Sequence, residues 1–340
     1  MRSAPIVIIA ATVAVAAPLW TTQTSGVMAT LRGVSAVNDR IAWASGSGNT
    51  ILHTTDGGTT WEKIASPSPD RLDFRDVDAI DERTAYLLSI GSGPASRIFK
   101  TTDAGQTWTL QLANDNPKAF FDAMAFWDRD HGLVIGDSID GEFYLLMTLN
   151  GGVTWARVPP DRLGPALPNE GAFAASGTNV ATMGSDAWIG TGAGPRARVL
   201  HTPDRGRTWS IAETPLPSGA SSGIFSVAFR DATHGIVVGG DYRKESDAVD
   251  NAAVTSDGGA TWSLVRDRGL SGFRSVVAWL PRTPGAVIAL GPSGADWSLD
   301  EGRSWMRLEA EGFDTVSVAP GGSVAWAAGQ GGRISKLTPR

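Results

Sequence analysis

Cysteine is absent from the chain, which excludes disulfides, thiolate nucleophiles and thiolate metal sites. Histidine occurs only as His53, His131, His201 and His234. His131-Gly132 and His234-Gly235 stand at equivalent places in a repeat described below, so they read as turn residues rather than metal ligands. Tyrosine is limited to Tyr86, Tyr144 and Tyr242. Charged residues make up 19% of the chain and the net charge is -6, the wrong balance for a general nucleic-acid binder. No Gly-x-Gly-x-x-Gly opens a helix, so a nucleotide cofactor has no visible cradle. The vicinal cysteines of propeller quinoproteins are missing as well, and no cofactor is expected. What the chain does have is glycine (41 residues) and tryptophan (13 residues), with strand-like segments throughout and few helix signals.

The N-terminus stands apart. Arg2 supplies a positive start, residues 6–16 are apolar, and Ala14-Val15-Ala16 has the small-x-small form of a cleavage site. Residues 1–16 therefore read as a secretory signal peptide, too short for a stable membrane span. No later run approaches membrane length. Residues 17–340 are expected to be one domain, periplasmic or secreted, and monomeric.

One short polar stretch recurs six times in register. Its first copy is Thr54-Thr55-Asp56-Gly57-Gly58-Thr59-Thr60-Trp61. The others end at Trp108, Trp155, Trp209, Trp262 and Trp305, and all fit [ST]-x-[DN]-x-G-x-[TS]-W. Asp or Asn at a turn bonds backbone N–H groups two residues on, and glycine supplies a positive φ. β-formers flank each copy, so the stretch is a hairpin tip and its tryptophan starts the outgoing strand. Each copy offers a single acid, which argues for turn structure over catalysis or calcium binding.

Successive box tryptophans are 47, 47, 54, 53 and 43 residues apart. Units of that length with four short strands are β-propeller blades. After the sixth box come three more strands, around Phe313–Val318, Val324–Ala328 and Arg333–Leu337, and then the chain ends. Trp20-Thr21-Thr22-Gln23 resembles the missing fourth strand. The expectation is an all-β, seven-bladed propeller whose last blade is closed by the N-terminal strand, leaving no exposed sheet edge.

Loops joining second to third strands, and one blade to the next, open on one face of a propeller. Here they are the long ones, including Gly91–Ser96, Gly136–Glu142, Gly184–Ala197, Gly239–Asn251 and Pro159–Gly171. The boxes fall on the other face. Binding is expected on the loop face.

The six boxes, with the blade start Phe74-Arg75-Asp76-Val77, resemble the BNR/Asp-box superfamily and within it the photosystem II stability/assembly-factor-like proteins. That resemblance covers nearly all of residues 17–340 and implies a seven-bladed, protein-binding assembly scaffold. It does not by itself imply an activity, because sialidases, xyloglucanases and sortilin-type receptors share the boxes.

The enzyme alternatives meet obstacles. Sialidases require an Arg-Ile-Pro strand, which is absent, and a tyrosine nucleophile, for which only Tyr242 is placed on a loop. Xyloglucanase-like enzymes pair two propellers. A glycoside hydrolase in general needs two facing carboxylates. Asp137, Glu142, Glu170, Asp186 and Asp241 are the acidic loop candidates, and with Tyr242 they form an expected ligand-binding arc for a cation or a carbohydrate. No residue is assigned a catalytic role and no metal site is expected.

Aligned first strands put Arg32, Arg75, Asp122, Gly171, Phe225, Arg274 and Asp314 in one column at the channel mouth. The family resemblance implies an arginine patch for a protein or peptide partner, carried here by Arg32, Arg75 and Arg274. Guanidinium forks suit carboxylates. The competing expectation is that these arginines pair with Asp76, Asp314 or backbone carbonyls.

Overall fold

The computed structural model describes residues 19–338, and the expected signal peptide lies outside them. Seven four-stranded antiparallel sheets form the blades. Blade one is built from Leu31–Ala36, Ala42–Gly46, Thr50–Thr54 and Glu62–Lys63. Blade seven takes Thr315–Val318, Ala325–Ala328 and Ile334–Thr338 from the C-terminal side and Leu19–Gln23 from the N-terminal side. The closing register runs from Leu19 opposite Thr338 to Gln23 opposite Ile334. Trp20 stacks on Phe313 at 5.2 Å between ring centroids. Gln23 then reaches blade one: its Nε2 donates to the Gly57 carbonyl at 3.0 Å, and its Oε1 accepts from Trp61 Nε1 at 3.0 Å.

The core lies between blades. Second and third strands are buried on both faces because each sheet is sandwiched by its neighbours, as Ala42–Gly46 and Thr50–Thr54 show. Trp43, Trp188 and Trp326, all on second strands, are among the largest fully buried side chains. Fourth strands face outward and are short and largely exposed.

The boxes behave as turn devices. In the first, Asp56 Oδ1 accepts from Thr60 N at 3.0 Å and from Thr54 Oγ1 at 2.9 Å, while Asp56 Oδ2 accepts from Thr60 Oγ1 at 2.7 Å. Thr54 Oγ1 in turn accepts from Gly58 N at 2.9 Å, and Gly58 has φ +83°. The same network recurs with serines at Ser298, Asp300 and Ser304.

Blade four departs from the expected register. Its first strand is Val180–Met183, so Gly171 belongs to no strand. Instead, residues 171–178 run inside the channel as a plug. Ala174 and Ala175 carbonyls accept from Arg75 of blade two (2.9 Å) and Arg32 of blade one (3.3 Å). The Ser176 carbonyl accepts from Thr315 of blade seven at 3.1 Å, and Ser176 Oγ donates to the Ser275 carbonyl, just before the first strand of blade six, at 2.8 Å. Thr178 Oγ1 donates to Ser226 Oγ of blade five at 2.8 Å. Gly-Ala-Phe-Ala-Ala-Ser-Gly-Thr is the right composition for this path, since large side chains would fill the channel. At Gly177, φ is +73° and a Cβ would fall 2.2 Å from Asp76 Oδ1, so only glycine fits.

Candidate functional site

The plug turns one end of the channel into a cup. The cavity above it measures about 420 Å³ and is walled by Arg32, Arg75, Asp122, Phe225, Tyr242 and Glu245, with Phe173 and Ala174 as floor.

Backbone irregularities aim these side chains. Strand pairing skips one residue between Leu31 and Gly33, between Phe74 and Asp76, between Phe121 and Ala123, and between Ile224 and Ser226. The skipped residues are Arg32, Arg75, Asp122 and Phe225. Each is the extra residue of a β-bulge, which bends the strand and re-aims its side chain. These four occupy the expected column. Arg274 and Asp314 precede their strands, which begin at Val276 and Thr315.

That difference corrects the arginine patch. Arg274 is 1% exposed and is enclosed by Asp296, whose Oδ2 lies 2.6 Å from Nη2 and 2.8 Å from Nε. Its guanidinium cannot meet a partner without leaving a buried carboxylate unpaired. Arg32 and Arg75 do line the mouth, but each is also structural. Arg32 lies 3.3 Å from buried Asp314, and Arg75 Nε donates to Asp73 at 3.0 Å. Both also hold plug carbonyls. The competing expectation is therefore met for Asp314 and for backbone carbonyls.

The acidic arc is dispersed. Asp186 opens the second strand of blade four, so it lies at the box end of the channel, and its Oδ1 is 2.7 Å from His201 Nε2. The reason is the shift in blade four: residue 184 sits in the turn between first and second strands, not between second and third. Glu170 is buried and clamped by Arg198, whose Nε donates to Oε1 at 2.9 Å. Glu142 is on the rim, paired with Arg157 at 3.0 Å. Asp241 caps its own turn, accepting from Arg243 N at 2.9 Å. Asp137 lies beside the plug, where a Cβ on Gly171 would fall 2.0 Å from its Oδ1; burial raises its carboxyl to about 6, against the opposing influence of the Ala172 N–H. Tyr242 is 42% exposed at the mouth.

Asp122 is the acid the sequence placed only as an interruption of the arginine column. Burial lifts its carboxyl well above the usual carboxylate range, and the nearby Asp137 lifts it further. The Ala174 N–H and Arg75 oppose that rise. Asp122 Oδ2 is buried with no hydrogen-bond partner. The plug's N–H groups thus lie beside two carboxyls, and its carbonyls are held by two guanidiniums. An aromatic cluster completes the cup: Phe173 stacks on Phe225 at 4.0 Å, and Phe273 meets Phe225 edge-on at 4.7 Å. Among the described residues no cluster of three or more His, Asp or Glu side chains is arranged to hold a metal ion.

Comparison with known proteins agrees with this architecture. Residues 17–120 match the sequence profile described as photosynthesis system II assembly factor YCF48. No curated protein sequence matches the chain. Among solved structures, YCF48 bound to D1 peptide superposes with a TM-score of 0.65 at 17% identity, covering 94% of this chain and 97% of that one. YCF48 from Cyanidioschyzon merolae gives 0.65 at 16% identity, covering 94% and 99%. The GH74 xyloglucanase from Xanthomonas campestris gives 0.64 at 15% identity, covering 94% of this chain but 53% of the enzyme. At these identities the structural likenesses show the fold. With the profile match, they make the chain similar to the assembly-factor type of Asp-box propeller.

Proposed function

We propose that this chain is an exported, non-enzymatic binding propeller that takes a protein or peptide partner on the channel mouth and its surrounding loops. The observation that carries this reading is the cup itself. It is a concave site on a rigid ring, closed below, with partly exposed Arg32 and Arg75 on one side and exposed Tyr242 on the other. The similarity to a propeller solved with a bound peptide supports it. Catalysis of glycan cleavage is the weaker reading. It needs two carboxyls facing across a substrate, whereas Glu170 is locked to Arg198 and Asp186 lies at the far end.

A photo-crosslinking side chain at position 242, compared with one at exposed Val153 on a box tip, tests the reading. The expected outcome is a discrete crosslinked species from position 242 that is competed by the unlabelled protein. Equal labelling from both positions would sink it. Fusion of residues 1–25 to a reporter active only outside the cytoplasm tests export.

A further inference from the structure

The mouth holds free hydrogen-bonding groups of both signs beside an aromatic wall. Arg32 uses Nη1 for both the plug and Asp314, and Arg75 uses Nε and Nη1. Among the described residues, Nε and Nη2 of Arg32 and Nη2 of Arg75 make no hydrogen bond. Two acceptors line the same cavity. Asp122 Oδ2 is buried without a partner, and the half-buried Glu245 carboxylate makes no ion pair or hydrogen bond among the described residues.

A buried acceptor left unpartnered costs about 1–3 kcal/mol, so an occupant that satisfies it is favoured. The spacing of the charges limits what that occupant can be. Asp122 lies beside the N–H of Ala174, and Arg75 Nη1 donates to the carbonyl of that same residue. A carboxyl acceptor and a guanidinium donor therefore sit within the span of one amino acid. Arg32 and Glu245 line the same cavity. Phe173 and Tyr242 offer ring surface, their centroids 6.3 Å apart at a steep angle. A volume of about 420 Å³ falls in the range of small-molecule sites, about 300–1,000 Å³.

We propose that the cup binds a free α-amino acid with an aromatic side chain. Its carboxylate meets Arg32 and Arg75, its ammonium meets Asp122 and Glu245, and its ring packs on Phe173 and Tyr242. A purely anionic ligand leaves the Glu245 carboxylate unanswered. A purely cationic one meets two guanidiniums. The zwitterion satisfies both and leaves the plug's own hydrogen bonds in place.

This site goes beyond the protein-partner reading and does not require it. Calorimetric titration of the full chain with L-phenylalanine, N-acetyl-L-phenylalanine and L-phenylalaninamide tests it. The expected result is saturable binding of the free amino acid, with each blocked form weaker by about tenfold or more, about 1.4 kcal/mol. Glu245→Gln should weaken L-phenylalanine by about tenfold and leave N-acetyl-L-phenylalanine unchanged. Glu245 is half-buried, so its variant is expected to fold, which far-ultraviolet dichroism checks. No saturation by millimolar L-phenylalanine, or equal affinity for the free and blocked forms, overturns the proposal. Crosslinking from position 242 without amino-acid binding would leave the partner reading standing, and the reverse result would leave this one standing.

Discussion

Arg75 Nη1 donates to the Ala174 carbonyl at 2.9 Å, across 99 residues of sequence. A side chain at the mouth of blade two is thereby a support for the channel floor. Arg32 does the same for Ala175.

Arg75→Ala and Arg32→Ala should each lower stability by about 1 kcal/mol, the net worth of a partly exposed charged hydrogen bond. Urea unfolding measures this. A midpoint identical to the parent's would mean that the guanidiniums serve only a partner.

Asp76 is buried and accepts from Met124 N at 2.9 Å, and burial raises its carboxyl to about 7; Asp137 is raised to about 6. Both bind a proton more tightly folded than unfolded. Their contribution to stability is full below about pH 4 and is lost as pH rises through 6 to 7. The slope is up to about 1.4 kcal/mol per pH unit for each group. The box acids run the other way. Hydrogen bonds from Thr60 hold Asp56 at about 2, and those from Thr107 hold Asp103 there, so their contribution is lost as pH falls through that value. Melting temperature against pH should peak on the acid side of neutral, near 4 to 5. Asp76→Asn keeps an acceptor for Met124 and should flatten the fall between pH 5 and 7.

Gly58 and Gly141 have nearly the same backbone, with φ +83° and +82°. A Cβ at Gly58 would lie 2.1 Å from the Gln23 side chain, whereas at Gly141 it would meet nothing within 4 Å. Gly141→Ala should cost about 1 kcal/mol from strain alone. Gly58→Ala should cost about 1–3 kcal/mol more, because it must displace the side chain that ties blade seven to blade one. Equal losses in denaturant titrations would show that the Gln23 tie carries no weight.

Removing residues through Gln23 strips the partner from strand Ile334–Thr338. An unpaired edge is a template for another chain. The truncated protein should melt earlier and elute as higher-order species in size-exclusion chromatography, while the intact chain elutes as one species.

The ring was legible because the box recurs in register in six of the seven blades and because Trp20 and Phe313–Val318 sit at opposite ends of the sequence with complementary halves of a blade. The mouth was half legible. Aligning first strands found Arg32, Arg75, Asp122 and Phe225, since all four sit at a bulge in the same place in their first strands. It misplaced Arg274, which looks identical in sequence but precedes its strand and is captured by Asp296. Asp186 was put on the wrong face because Gly171 was placed in the first strand of blade four, which begins at Val180. The plug itself is made mostly of glycine, alanine and serine, with one phenylalanine and one threonine, no alternation and no charge. Nothing in such a segment signals that seven blades will converge on it. Phe273 and Glu245 likewise carry no local pattern, and their place comes only from closure of the ring.

The plug also sets an order of events. Residue 175 is mid-chain, but its neighbours in the channel include Arg32 and Thr315, from opposite ends of the chain. During synthesis the floor therefore stays incomplete until the ribosome has passed residue 315, and its hydrogen bonds to Arg32 and Thr315 close loops of 143 and 139 residues. Contacts of such separation are slow to form. Early blades must remain soluble while they wait, which gives the dense polar boxes at every hairpin tip a task before the native state exists.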